Sequence, residues 1–238
     1  MSSDLAAKLR EGTKKAHTMA ENVGFIKCFL KGVIDKESYR KLVTSFYFIY
    51  SEIESQMQKH EAHLILSKIY FPLLNRQSSL EKDLCFYYGD NWQNQLTISP
   101  ATQSYLQRIQ DVAKTEPELL ISHAYTRYMG DLSGGQILKN IAQRAMGLEN
   151  GQGTAFYEFA DIADEKEFKK LYRQRLNELP LDDEAVKRIV DEANAAFGMN
   201  MQLFQELEGS FIKAIGQVLY NTLARRRTRG STAVALTD

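Results

Sequence analysis

The sequence predicts a single all-α domain. The clearest sign is an apolar series that recurs at steps of three and four residues, as on one face of a helix: Tyr39, Leu42, Phe46, Ile49, Tyr50, Ile53 and Met57. The alternation of apolar and polar residues that is typical of strands is scarce. Apolar residues make up 44% and charged residues 25% of the 238-residue chain, which is enough for one sizeable core, and no shift in composition marks a second.

Similar periodicity predicts the other helices. They lie at about residues 4–15, 17–31, 78–88, 100–114, 116–147, 164–178 and 182–223, and Gly209 is a candidate break in the last of them. The residues after 223, which include Arg225-Arg226-Arg227, lack apolar periodicity. We therefore expect a folded domain over residues 1–223 and a disordered tail over residues 224–238.

Charge and cysteine usage exclude several classes of protein. The 30 basic and 30 acidic residues give a formal net charge of zero, so nonspecific attraction to nucleic acid is not expected. Cys28 and Cys85 are the only cysteines, and their separation indicates neither a disulfide framework nor a thiolate metal site. The N-terminus lacks a signal peptide, and no apolar run approaches the roughly 18–20 residues of a membrane-spanning helix. We expect a soluble protein of a reducing compartment.

The predicted helix at 116–147, which Gly147 is expected to end, is interrupted by glycines. They lie in Tyr128-Met129-Gly130-Asp131-Leu132-Ser133-Gly134-Gly135-Gln136. Each costs about 1 kcal/mol relative to alanine, so something has to offset roughly 3 kcal/mol. Two interpretations stay open: a neighbouring helix packs closely against Gly130 and Gly134, or a flat ligand lies against the bare backbone of a kinked helix. Beside such a ligand, Asp131 would organise proton-delivering waters, although a solvated aspartate is the usual case.

The histidines are candidate metal ligands. His17 lies in a helix-compatible stretch in which Glu21, one turn later, would orient its imidazole, and a haem iron needs only one such proximal histidine. His123, two turns before Gly130, is the second candidate. His60 and His63 form an H-x-x-H pair without an evident third ligand, which favours a solvated turn.

Two segments of the chain, residues 14–22 and 127–136, together resemble haem oxygenase. The resemblance extends over nearly the whole chain, including Phe46-Tyr47-Phe48-Ile49-Tyr50, Phe156-Tyr157 and residues 168–173 and 191–197. Its character is similar to the soluble cyanobacterial and plastid branch, because the hydrophobic C-terminal anchor of the animal enzymes is missing. The location implied is the bacterial cytoplasm or the plastid stroma.

The resemblance implies a helical fold in which haem is sandwiched between a proximal helix and a kinked distal helix. It implies His17 as the axial iron ligand, supported by Glu21. The distal helix would cross the haem at its glycines, and the aspartate would hold waters that supply protons during oxygen activation. The catalytic set implied is Gly130, Asp131, Gly134 and Gly135.

The resemblance also implies contacts to the rest of the haem. Cations would hold the two propionates, with one tyrosine as a hydrogen-bonding partner. These positions are Arg10, Lys14, Lys169, Arg173 and Tyr125. Further pocket positions are Ser133, Phe197, Asn200 and Phe204, and an ordinary core role for both phenylalanines stays open.

The implied reaction cleaves haem at the α-meso carbon with O₂ and reducing electrons, releasing biliverdin IXα, Fe²⁺ and CO. The haem is then both substrate and cofactor. The sequence has no flavin fingerprint, Cys-rich cluster or Gly-rich dinucleotide loop, so the electrons must come from another protein. The resemblance points to ferredoxin as donor and to a bilin reductase as a downstream partner in phycobilin synthesis.

Three other classes of protein are alternatives to this enzyme. A non-catalytic haem-binding or haem-sensing protein would use the same histidine and glycines but would not need Asp131. A thiaminase-like hydrolase would need a cysteine nucleophile, and neither cysteine lies in a recognisable acid/base constellation. A plain helical interaction protein would bind no haem.

Overall fold

The structure is a computed structural model that describes residues 4–149 and 151–230, with side chains as far as residue 208. These ranges contain eight α-helices and no strand, so the predicted all-α class is confirmed. The helices are α1 (Leu5–Glu21), α2 (Gly24–Leu30), α3 (Lys36–Lys59), α4 (Gln77–Tyr88), α5 (Pro100–Thr115), α6 (Leu120–Met146), α7 (Glu165–Asn177) and α8 (Asp183–Gly230). Within this part of the chain, none of the helices combines the length and apolar character that crossing a bilayer requires.

Side-chain caps explain where several helices begin. Asp35 accepts a hydrogen bond from the backbone N–H of Ser38 at the start of α3, at 2.9 Å. Ser99 plays the same part for α5, ahead of Pro100 at the first helical position. Asp164 accepts two backbone N–H groups at the start of α7. At the other end of α6, Gly147 adopts a left-handed conformation (φ 60°) that stops the helix, as predicted.

Helix α3 lies in the middle of the core. All seven residues of its predicted apolar series are buried, which confirms the predicted core helix. The helix packs against α4, α5, α6 and α8. The long helix α8 in turn packs against α1, α2, α5 and α6, so α1 and α6 are both attached to the same helix.

Some predicted boundaries are wrong. The predicted break between residues 15 and 17 does not exist, because α1 continues through His17 and the chain turns at Asn22 and extended Val23 instead. A 3₁₀ turn, Pro117–Leu119, precedes α6. Helix α8 continues through Gly209 and beyond the predicted end at 223, since one glycine costs only about 1 kcal/mol in a long helix. Residues 231–238 of the predicted tail lie outside the described residues, and the domain boundary stays a prediction.

The close approach of α1 and α8 depends on Gly12. A Cβ atom at this position would lie 2.5 Å from Cγ1 of Val190, and Asn194 donates to the carbonyl of Gly12 at 3.2 Å. We expect Gly12→Ala to lower the free energy of unfolding by about 1 kcal/mol, because overpacking outweighs the gain in helix propensity. Urea unfolding followed by circular dichroism measures this change. The double variant with Val190→Ala is expected to recover most of it, and failure to recover would contradict the steric explanation.

Candidate active site

Two glycines of α6 expose bare backbone to open space. A Cβ atom built on Gly130 or Gly134 would meet no heavy atom within 4 Å. Packing of a neighbouring helix against these two positions is therefore the wrong interpretation. Gly135 differs, because a Cβ atom there would lie 3.3 Å from Cδ1 of Tyr157 in the segment between α6 and α7. The helix is continuous from Leu120 to Met146, and its predicted kink stays a prediction.

His17 lies on α1 with 56% of its side chain exposed. Its ring contacts Phe197 of α8 edge-on, with the ring centroids 5.7 Å apart. Nδ1 lies 3.7 Å from Oε1 of Glu21, which is too long for a hydrogen bond but near enough for attraction. Nε2 has no hydrogen-bond partner among the described residues, so this nitrogen is free to bind a ligand.

Each of the other three histidines uses one ring nitrogen in contacts within the protein. His123 is fully buried, and its Nε2 lies 3.1 Å from Oε1 of Glu192, whose carboxylate Arg108 also binds. His123 is therefore unsuited to bind an external iron. His60 pairs with a backbone carbonyl, and Nδ1 of His63 accepts from two backbone amides, as expected for a turn. Residues 4–149 and 151–208 contain no group of three or more side chains that could hold a metal ion.

A chain of hydrogen bonds that runs from the core to the half-buried Asp131 holds this carboxylate. Tyr50 of α3 donates a short hydrogen bond to Oδ2 of Asp131, and Nε of Arg127 donates to the Tyr50 hydroxyl at 3.0 Å. Nη1 of Arg127 donates to Oδ1 of Asn200 at 2.8 Å, and Asn200 is anchored to the carbonyl of Ala196. Three helices thereby fix the carboxylate, since each of α3, α6 and α8 supplies a member.

Two members of this chain, Tyr50 and Arg127, were not predicted from the sequence as site residues. Tyr50 was predicted as part of the core stripe of α3, and no role was predicted for Arg127. A weak signal for Arg127 was present, because Arg127 and Asp131 are one turn apart in a helix whose neighbours are apolar. A buried arginine needs a partner, and here that partner is reached through Tyr50.

Burial dominates the electrostatics of this network. It raises the pKa of Asp131, while the positive charge of Arg127 and the hydrogen bond from Tyr50 offset part of the rise. Burial also raises the pKa of the Tyr50 hydroxyl, so this group remains a neutral donor. The result is a carboxyl group whose pKa lies above its usual value, which is the direction that favours exchange of a proton.

The network and His17 meet at helix α8. Phe197 contacts His17, and Asn200, three residues later, holds Arg127. Residues three apart share a face of a helix, so this face of α8 joins the two parts of the site. Phe204, in contrast, stacks on Phe25 with the ring centroids 6.3 Å apart and contributes to the packing of α2 against α8.

The predicted propionate contacts are only partly assembled. Burial raises the pKa of the Tyr125 hydroxyl on α6, and the charges of Arg173 on α7 and Arg10 on α1 offset part of the rise, so both arginines lie within electrostatic range of Tyr125. Lys14 and Ser133 are exposed. Lys169 is half-buried, and its Nζ donates to the carbonyl of Leu132 at 2.9 Å, so it is attached to α6 instead of being free.

The fold and the site define a class of all-helical protein with a histidine on one helix, bare backbone on another, and a buried acid network beside that backbone. The haem oxygenase family model matches residues 3–206. Heme oxygenase 1 from Nostoc sp. is 66% identical over 238 residues and covers all of both chains. Heme oxygenase 1 from Synechocystis sp. is 64% identical over 236 residues, which are 99% of this chain and 98% of the relative. The chain belongs to the haem oxygenase family.

Solved structures agree with this assignment. The crystal structure of heme oxygenase-1 from Synechocystis sp. in complex with heme matches with a TM-score of 0.89 at 64% identity, covering 92% of this chain and 99% of that one. Heme oxygenase-2 from the same organism, in complex with heme and NO, matches with a TM-score of 0.88 at 47% identity, covering 93% and 92%. Membership of an enzyme family favours turnover over the non-catalytic haem-binding alternative.

The open space beside the glycines leads to a prediction for the haem-free protein. We expect Gly130→Ala to raise the free energy of unfolding by up to about 1 kcal/mol, because helix propensity improves and the added methyl group meets nothing. Gly135→Ala is the matched control, and we expect a smaller gain or a loss because the methyl group meets Tyr157. Urea unfolding of both variants tests this. Destabilisation by Gly130→Ala would mean that the position is packed after all.

Proposed function

We propose that this haem oxygenase holds haem between His17 on α1 and the bare backbone of Gly130 and Gly134 on α6. The activity is the oxidative cleavage of haem at the α-meso carbon to biliverdin IXα, Fe²⁺ and CO. The observation that carries the proposal is the open space beside these two helical glycines, which no other part of the described protein fills. A flat ligand that needs close backbone contact accounts for their cost in helix stability.

The residues present fit a haem. Nε2 of His17 is free to serve as the axial ligand, and Glu21 lies close enough to stabilise the orientation of the ring. Haem, when bound, supplies both the iron at which O₂ is reduced and the meso carbon that is oxidised. The protein supplies the opposite face, where the absence of side chains at Gly130 and Gly134 leaves room for a diatomic molecule.

Asp131 is proposed as the group that holds and passes protons. Its Oδ2 accepts from Tyr50, which leaves Oδ1 without a protein partner among the described residues. We propose that Oδ1 binds water and delivers protons towards the oxygen side of the haem. Tyr50 and Arg127 position the carboxylate for this task, and Asn200 acts through Arg127.

The propionates are proposed to lie at the cationic edge formed by α1, α6 and α7. Arg10, Lys14 and Arg173 are exposed and form no ion pair within the described residues, so their charges are available to carboxylates. Lys169 has two further donor hydrogens while bound to Leu132 and can serve a propionate at the same time. The remaining proposed contacts are Tyr125, Ser133, Gly135, Phe197 and Phe204.

We propose that electrons come from ferredoxin. The sequence contains no motif for a flavin, an iron–sulfur cluster or a dinucleotide, so an external carrier has to reach the haem edge. Unpaired basic side chains around that edge would attract an acidic carrier. We further propose a bilin reductase as the partner that receives the product and the cytoplasm or the plastid stroma as the location.

Asp131→Ala separates binding from catalysis. We expect nearly unchanged haem affinity, measured by titration of the Soret band, because the carboxylate does not ligate the iron. Biliverdin formation with ferredoxin, its reductase and NADPH is expected to fall by about 10²-fold or more, since proton delivery is lost. The control is Asp111→Ala, which removes an exposed aspartate from α5. A verdin yield unchanged by the Asp131 substitution would remove the proposed role.

His17→Ala tests the axial ligand. We expect ring opening to be abolished and the Soret spectrum to lose its histidine-ligated character, and added imidazole is expected to restore part of both. The control is His60→Ala, at the end of α3. Full activity of the His17 variant without imidazole would show that another residue binds the iron.

A further inference from the structure

The segment of residues 153–159 between α6 and α7, here called the strap, lies against the distal half of the site. The ring of Tyr157 packs beneath Gly135, and Nε2 of Gln136 donates to the carbonyl of Tyr157 at 3.0 Å. The ring of Phe156 contacts that of Tyr50, with the ring centroids 5.2 Å apart. The strap therefore touches both the glycine segment of α6 and the tyrosine that holds Asp131.

Two buried charged residues, Asp83 and Arg76, hold the backbone of the strap and are here called the clamp. Asp83 of α4, with no exposed surface, accepts from the amide N–H groups of Ala155 at 2.7 Å and Phe156 at 2.8 Å. Arg76, which is 4% exposed, makes a short hydrogen bond from Nη1 to the carbonyl of Glu158. The carboxylate of Asp83 thus accepts from N–H groups of the strap, and the guanidinium of Arg76 donates to one of its carbonyls.

Further contacts fix the guanidinium of Arg76. Its Nε donates to the carbonyl of Leu74 at 3.0 Å, and Cζ lies 3.8 Å above the centre of the Phe159 ring. Nη1 also lies 3.5 Å from the carbonyl of Phe156. Neither Asp83 nor Arg76 has a side-chain ion-pair partner within the described residues. Both buried side chains use their hydrogen bonds on backbone groups. Because hydrogen bonds are directional and apolar packing is not, they fix the position of the strap more closely than apolar packing alone would.

We propose that Asp83 and Arg76 are positioning residues of the haem site. Through the strap they set the position of Gly135 and Gln136 on α6 and of the Tyr50 ring, and thereby which meso carbon faces the oxygen site. Neither residue is proposed to touch the haem. This inference rests on the proposed function for the position of the haem between His17 and the glycines of α6, here called the seat of the haem. The link from the clamp through the strap to α6 is present without haem.

The first test uses haem-free protein and hydrogen–deuterium exchange. Asp83→Asn replaces one acceptor oxygen by a donor, so one of the two strap amides loses its partner. We expect exchange in the peptides that cover the strap and residues 130–138 to become several-fold faster, with α5 unchanged. The matched control, Asp111→Asn, changes the same charge at an exposed position of α5 and is expected to leave both regions as they are. Equal acceleration along the whole chain would overturn the proposal.

The second test measures product composition. In folded variants we expect the share of biliverdin IXα to fall and other isomers to appear, a result that a general loss of stability would not produce. Gln136→Ala serves as the second variant, because it removes one of the hydrogen bonds between the strap and α6 at an exposed side chain and leaves Asp83 and Arg76 in place. It is expected to shift the isomers in the same direction and by less, because other contacts between the strap and α6 remain. Pure biliverdin IXα from both variants would refute the positioning role.

The two tests separate this inference from the proposed seat of the haem. If Gly130→Val leaves haem affinity unchanged, the seat is wrong, and the exchange of residues 130–138 in the clamp variants still decides whether the strap controls α6. If Gly130→Val weakens haem binding as the proposed seat requires, but Asp83→Asn and Gln136→Ala change neither the hydrogen exchange nor the isomer composition, only the positioning role is wrong.

Discussion

The constraint on which the site depends is the lack of side chains at Gly130 and Gly134 inside a long helix. Two such glycines weaken an isolated helix by about 2 kcal/mol, so α6 has to be stabilised by its surroundings. The residues beside them provide this, because Tyr128, Met129 and Leu132 are buried in the core. The helix can thus present bare backbone on one face only because its other faces are packed against α3, α5 and α8.

The same packing explains why a carboxylate can be held beside that backbone. Arg127 projects from α6 into the core, where its guanidinium lies 4.3 Å from the centre of the Phe46 ring and is hydrogen-bonded to Tyr50 and Asn200. A buried cation of this kind is costly unless every donor and charge is matched. Asp131 supplies the opposite charge through Tyr50, so the acid contributes to the charge balance of the core in addition to its proposed role in proton transfer. A residue with both tasks leaves little freedom for substitution.

Sequence periodicity predicted the features that lie within one helix and missed the contacts that join several helices. The buried face of α3 and the glycine stretch of α6 could be read from spacing because each repeats within a single helix. Tyr50 obeys the apolar stripe perfectly, and its hydroxyl is functional only because residues 127 and 131 of another helix reach it. At the turn between α1 and α2, Asn22 and Gly24 are local signals of a helix end, but the apolar periodicity of residues 17–31 continues across them and predicted one helix. The attachment of Lys169 to Leu132 is likewise a contact between helices.

The two sides of the site differ in how firmly the protein holds them. The distal side is fixed by buried hydrogen bonds from three helices, whereas the proximal His17 is more than half exposed and only loosely paired with Glu21 at 3.7 Å. This asymmetry suits a reaction whose cofactor is also its substrate. In the proposed site the bond between His17 and the iron would have to break each time the iron leaves, so a histidine locked into a rigid network would hinder release. The side that carries Asp131, in contrast, would have to keep one geometry through every turnover if it delivers protons as proposed, because proton transfer requires donor and acceptor within hydrogen-bond reach.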